Sequence, residues 1–245
     1  MNDRRAVIGI HSAREVLKVR PHAVKEIWLK KDAERDLELK VFLDFSKKSH
    51  CPLRIQQESA LNRIAASHQG VCLWVTETPK FKFEDLPDSE SSTHALVLVL
   101  DEISDPHNVG ALLRSSWLFG ANAIIVPDRR AAHLTPAVTK VASGGAEHVP
   151  MHISNNLTED LRDLKQKGFW VYGLDGGGRQ TLAETRFHEK VALVVGAEDK
   201  GLRIATQKAC DELIKIPQLD PAASLNASVA GAIGLYEVQR QWQNH

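Results

Sequence analysis

Hydrophobic and polar positions follow two regimes along the chain. Over residues 1–76 short helical and strand-like patterns alternate. Helical spacing covers residues 12–19 and 37–46, and short apolar runs fall at 27–29, 53–55 and Val71–Val75. From Ala95 the pattern changes to β-branched runs at 95–100, 123–126, 149–153, 169–173, 191–195 and 213–216, separated by stretches of helical length. Near-continuous apolar runs alternating with helices predict strands buried on both faces, so the fold class is α/β with a mostly parallel sheet. Residues 76–94 hold Pro79, Pro87 and the polar run 89–93 without periodicity, which predicts a linker. The expected organisation is a small α/β domain over 1–76, a linker over 77–94 and a larger α/β domain over 95–245.

Composition narrows the class without naming a function. In 245 residues, 43% are hydrophobic and 25% charged, which suits a globular chain with a proper core. Lys plus Arg equals Asp plus Glu at 31 each, so bulk charge gives no argument for a polyanionic partner. Residues 1–31 are an exception, with eight Lys or Arg (Arg4, Arg5, Arg14, Lys18, Arg20, Lys25, Lys30, Lys31) against Asp3, Glu15 and Glu26. A charge run of this kind is either a solvated face or a local patch for RNA. Cys51, Cys72 and Cys210 are scattered and odd in number, which points to a reducing, cytoplasmic compartment rather than a disulfide framework or zinc site. The eleven histidines show no ligand spacing, so no metal is expected. The first residues lack an apolar signal core, and no run approaches the roughly 18 apolar residues of a membrane span.

In a parallel sheet ligands bind beyond the carboxyl ends of the strands, so the loops that follow strands are where chemistry is sought. After the first strand of the larger domain, Asp105-Pro106 reads as an N-cap and first-turn pair. Val109, Leu112, Leu113 and Trp117 form the inward stripe of the helix, and Arg114 falls off it. Asn108 in the first turn and Arg114 in the second lie roughly 9 Å apart along the axis and could face one extended group. After the fifth strand, Gly196-Ala197-Glu198 and Gly201 allow close backbone approach to a ligand. After the sixth, Ile216-Pro217 leads through Ser224, Leu225 and Asn226 into a helix expected over 225–243, with Ser224 as its N-cap. Each loop alone also reads as an ordinary strand-to-helix junction. Gly176-Gly177-Gly178 resembles a phosphate loop in composition only and is expected to be a flexible loop.

Together, D-P-H-N-V-G-A-L-L-R at 105–114, V-V-G-A-E-D-K-G-L at 194–202, and I-P at 216–217 followed by S-L-N-A-S-V-A at 224–230 resemble the three ordered motifs of the SpoU (TrmH) family of RNA ribose 2′-O-methyltransferases. The opening I-G-I-H-S-A-R-E-V-L (8–17) and H-Q-G-V (68–71) are similar to the small RNA-binding domain of the large-subunit rRNA guanosine branch. The resemblance implies a carboxy-terminal trefoil knot, a homodimer, S-adenosylmethionine as cofactor and RNA as partner, rRNA or else tRNA. It also implies that Gly196, Ile216 and Leu225 line the cofactor site and that Asn108, Arg114, Glu198, Ser224 and Asn226 surround the reacting ribose.

Physical chemistry constrains those roles. The sulfonium methyl is already activated, so the protein must align a ribose oxygen behind it and help remove a proton. An arginine holds its proton far above neutral pH and is a poor base there, so Arg114 is expected to clamp phosphate and stabilise the developing alkoxide. Glu198 is expected to orient Asn108 or Arg114, while Ser224 and Asn226 fix the loop and the ribose. The stretch 219–223, Leu-Asp-Pro-Ala-Ala, departs from the Gly/Ser-rich lead expected in the rRNA branch, and Asp199-Lys200 departs as well. A non-catalytic RNA-binding or assembly protein of the same fold is a second reading. A nicotinamide oxidoreductase is a third, disfavoured because D-E-I-S-D-P-H-N lacks a glycine fingerprint after the first strand.

Overall fold

The computed structural model describes residues 4–76, 81–128, 134–220 and 223–243. Pro79 and Pro221, both weighed in the sequence, lie outside the described residues. The amino-terminal part contains β1 (Arg5–Ile8), α1 (Ile10–Val19), β2 (Val24–Lys30), α2 (Lys40–Ser49), β3 (Leu53–Gln56), α3 (Glu58–Asn62) and β4 (Val71–Val75). Its sheet has the order β1-β4-β2-β3, with β4 antiparallel to both neighbours and β2 parallel to β3. Val7, Ile27, Leu29, Leu73 and Phe42 are fully buried between that sheet and its helices.

The rest comprises β5 (Ala95–Asp101), α4 (Pro106–Leu118), β6 (Ala123–Pro127), α5 (Pro136–Ala142), α6 (Gly145–His148), β7 (Met151–Ser154), α7 (Leu157–Gln166) and β8 (Trp170–Leu174). It continues with β9 (Gln180–Thr181), β10 (Lys190–Gly196), α8 (Ile204–Ala209), β11 (Glu212–Lys215) and α9 (Ala227–Gln243). All seven strands are parallel, in the order β7-β6-β5-β10-β8-β11-β9. Strands β5 and β10 form the centre, buried on both faces, which is why they read as unbroken apolar runs. From β5 the chain winds outward through β6 and β7, then crosses to β8 and returns to β10. The order therefore reverses between β5 and β10, and the crevice beyond their carboxyl ends, where Asp101 pairs in register with Gly196, is where such sheets hold ligands.

Three expectations change. The last helix begins at Ala227, not Leu225, and Asn226 rather than Ser224 caps it. The segment 81–94, though mostly exposed, is anchored at points: Leu86 is buried, Phe81 and Phe83 sit against His152, and Lys167 and Lys190 both bond to Asp88. Apolar Phe81, Phe83 and Leu86 give this segment a place on the β7 and α7 side of the sheet, which its lack of periodicity hid. Several of the amino-terminal cations are paired rather than free. Arg5 and Arg20 turn inward to Glu147, and Lys18 and Lys30 pair with Glu15 and Asp36.

Candidate active site

Helix α4 starts where it does because Asp105 accepts hydrogen bonds from His107 N at 3.2 Å and Asn108 N at 3.3 Å, with Pro106 in the first turn. That cap orients Asn108 toward the crevice, where it is buried. The loop after β10 is folded back on itself: Gly201 N donates to Ala197 O at 2.7 Å, and Gly201 has φ +63°, a left-handed conformation suited to glycine. A Cβ on Gly196 would overlap the backbone of Gly201, so only glycine closes this turn. Buried Asp101 ties the same loop to β5, accepting from Arg203 N at 2.9 Å and Arg203 Nε at 2.6 Å. The sequence reading missed both residues; an acid ending the otherwise apolar run ALVLVLD was the available signal.

Glu198 is the point where the three loops meet. Its Oε1 accepts from Asn108 Nδ2 at 3.1 Å, from Ala227 N at 3.2 Å and from Asn226 Nδ2. Asn226 Nδ2 also donates to Asn108 Oδ1 at 2.9 Å, while its own Oδ1 accepts from Ser228 N at 2.9 Å and Val229 N at 3.3 Å. The amide orientations are thereby fixed: both oxygens accept and both NH2 groups donate. Oε2 of Glu198 makes no hydrogen bond among the described residues.

Two cavities flank this cluster. The first is lined by Gly196, Ala197, Glu198, Ile216, Ser224 and Leu225, with Leu174, Asp175 and Gly176 on the far wall. The second, on the α4 side, includes Ser104, Asp105, Asn108, Glu198 and Asp199. Glu198, Ala197 and Ala227 belong to both and form the wall between them. The fold thus brings together Asn108, Glu198, Ser224, Asn226, Gly196, Ile216 and Leu225. It does not bring Arg114 to them: that side chain is exposed, lines neither cavity and has no partner among the described residues. At about 100° per residue, position 114 lies about 120° around the helix from position 108. Asp175 and Gly176 are the other surprise. The glycine loop is a pocket wall because β8 is the sheet neighbour of β10, a fact of strand order that composition does not carry.

The first cavity suits an adenosylmethionine-like molecule. Leu174, Val195, Ile216 and Leu225 offer apolar surface to a flat ring, Gly196 lets backbone approach closely, and Asp175 adds a carboxylate. Among the described residues no group of His, Cys, Asp and Glu is placed to hold a metal ion, and no helix is long and apolar enough to cross a membrane. Burial pushes the thiols of Cys72 and Cys210 up to about 12, far from thiolate chemistry at neutral pH.

Comparison with known proteins bears on the family and the fold. The profile of the SpoU rRNA Methylase family matches residues 95–236, and one described as RNA 2′-O ribose methyltransferase substrate binding matches residues 6–80. The 23S rRNA (guanosine-2′-O-)-methyltransferase RlmB of Pseudomonas putida is 35% identical over 99% of this chain and 99% of its own length. An uncharacterised tRNA/rRNA methyltransferase of Synechocystis is 38% identical over 89% of this chain, which spans 58% of that longer protein. Among solved structures, the SpoU methyltransferase AviRb of Streptomyces viridochromogenes, crystallised with AdoMet, superposes with a TM-score of 0.84 over 98% of this chain and 91% of its own. At 21% identity that likeness speaks to the fold.

Proposed function

The chain belongs to the SpoU rRNA methylase family, and from that premise we propose that it methylates a ribose 2′-hydroxyl of RNA, a guanosine of 23S rRNA, using S-adenosylmethionine. The observation that carries the reading is Glu198, whose one carboxylate joins the three loops on the wall between two cavities.

S-adenosylmethionine, when bound, supplies an electrophilic methyl group. Gly196, Ile216 and Leu225 would hold it, through backbone groups and apolar contact. The target nucleotide then enters from the α4 side. Glu198 holds Asn108 and Asn226 in fixed orientation, so that alignment of the ribose needs no rearrangement at the moment of reaction. Oε2 of Glu198 is an uncommitted acceptor on the dividing wall and would accept a hydrogen bond from the ribose hydroxyl, whose proton passes to an adjacent RNA phosphate as its oxygen takes the methyl group. Ser224 shapes the cofactor side of the wall. Arg114 would stabilise negative charge developing on the ribose oxygen or on an adjacent phosphate.

The finer features follow from the same reading. Residues 216–220 and 223–226, beside the 196–202 loop, would take part in the trefoil knot of the family. Exposed Leu118, Val229 and Tyr236 on neighbouring helices α4 and α9 would be the face of a homodimer, whose second copy would supply the Arg114 that a single chain turns away from its own site. Free thiols at Cys51, Cys72 and Cys210, the first two buried, suit the cytoplasm.

The test is transfer of labelled methyl from S-adenosylmethionine to 23S rRNA transcripts, paired with mapping of ribose methylation in total RNA from a strain lacking the gene. Loss of one 2′-O-methylguanosine from 23S rRNA is expected. Loss of a tRNA mark instead would move the substrate, and S-adenosylmethionine binding with no transfer to any RNA would leave a non-catalytic RNA-binding protein.

A further inference from the structure

The face between the two sheets is closed by an ion cluster. Glu147, on α6, has no exposed side-chain surface. Its two oxygens are taken by two arginines from the amino-terminal unit. Arg5 in β1 donates to Oε1, and Arg20, just beyond α1, donates to Oε2 at 3.1 Å; each arginine side chain is only 14% exposed. The same seam carries Ser12 Oγ donating to Thr139 O at 3.0 Å, and Glu15 Oε2 at 3.0 Å from His148 Nε2, with the His148 ring stacked on Trp117 at 4.1 Å. Units that slide past one another keep hydrated, adaptable contacts. A carboxylate withdrawn from water is tolerated only where its partners are in place, so this cluster specifies one relative placement.

That placement leads to the site. Gly145 lays α6 directly on the backbone of α4: a Cβ there would come within 2.6 Å of Leu113 O and 2.9 Å of Arg114 N. The element that carries Glu147 therefore rests on the turn that carries Arg114. Glu147 itself lines neither cavity.

We propose that Glu147 is a positioning residue: by engaging Arg5 and Arg20 it locks the amino-terminal unit in register with Asn108 and Arg114, so that RNA gripped by that unit presents its target ribose to the site. This rests on the RNA methyltransferase reading above. The locked placement itself can be tested without RNA.

Glu147→Gln keeps the side chain's shape and removes the charge both arginines face. Two substrates then separate positioning from general damage: a long 23S rRNA transcript that can engage both units, and a short oligoribonucleotide of the mapped target sequence that cannot. The expected result is a fall of about tenfold or more in kcat/KM on the long RNA, with the short RNA and the S-adenosylmethionine dissociation constant within about twofold of wild type, because only the effective concentration of tethered RNA has dropped. Small-angle scattering should give a larger radius of gyration, and amide exchange should quicken over residues 12–20 and 139–148. Equal loss on both RNAs, or unchanged scattering and exchange, overturns the proposal. Arg20→Gln, which leaves Glu147 paired with Arg5, should show the same split in smaller measure and decides the matter if Glu147→Gln does not fold. Should the wild-type protein transfer no methyl group to any RNA, the methyltransferase reading fails while scattering and exchange still judge the lock.

Discussion

Asn226 acts in two directions at once. Its oxygen caps α9 through Ser228 N and Val229 N, and its nitrogen reaches Asn108 and Glu198. Two substitutions separate the jobs. Asn226→Ala removes both, and loss of the cap alone should lower stability by about 0.5–2 kcal/mol in denaturant unfolding. Asn226→Asp keeps an acceptor at the helix start, where negative charge is favourable, but sets a carboxylate against Glu198 in place of a donor. It should hold its stability better than the alanine variant while losing at least as much methyl transfer. Equal destabilisation of both, with transfer tracking stability, would show that the cap is all Asn226 does. Local sequence preference could not have assigned this cap. Ser and Asn are comparable N-cap residues and stand two positions apart here. What decides between them is Glu198, 28 residues earlier in sequence, which holds Asn226 at the helix start and leaves Ser224 on the cavity wall.

At the scale of elements, α4 is the part on which everything else is stacked. Gly110 admits α5, since a Cβ there would lie 2.6 Å from Val141 Cβ and 2.9 Å from Val138 O, and Gly231 of α9 seats Leu112 from the other side. Gly110→Ala sets two effects against each other. Alanine favours the helix by about 0.8–1.0 kcal/mol. Overpacking of a filled interface costs about 1–3 kcal/mol. Backbone at Val138 cannot yield as a side chain does, so the cost should win. A lower melting temperature is expected, together with weaker methyl transfer as the Asn108 turn shifts against Glu198. A more stable, fully active variant would mean that α5 moves freely. The start of α4 and the central strands were legible because Asp-Pro and unbroken apolar runs are local signals. Short α5 and α6 were not, nor was the glycine loop's place on the wall of the first cavity, which follows from β8 lying beside β10.

At the scale of the whole molecule, the outward-facing Arg114 and the exposed apolar face point the same way. Leu118, Val229 and Tyr236 are 62%, 46% and 52% exposed, and Phe119 already touches Tyr236 across α4 and α9. An exposed apolar patch on two packed helices would suit an isologous dimer, in which each copy meets the same surface of the other. Arg114 emerges from α4, away from its own chain's Glu198 cluster, so in such a dimer it would serve the partner's site. Mixing two inactive proteins tests this. An Arg114→Ala chain keeps the Glu198 cluster and lacks the arginine; a Glu198→Gln chain keeps the arginine and lacks the cluster. After subunit exchange at equal concentrations about half the dimers are mixed. Each mixed dimer holds one complete site if Arg114 acts across the interface, so about a quarter of wild-type activity should return. If Arg114 acts within its own chain, no mixed dimer contains a complete site and activity stays at the level of the separate variants. Adding Tyr236→Glu to both chains should abolish the recovery, since it places charge in the apolar face. Recovery that survives that change would put the dimer contact elsewhere on the molecule.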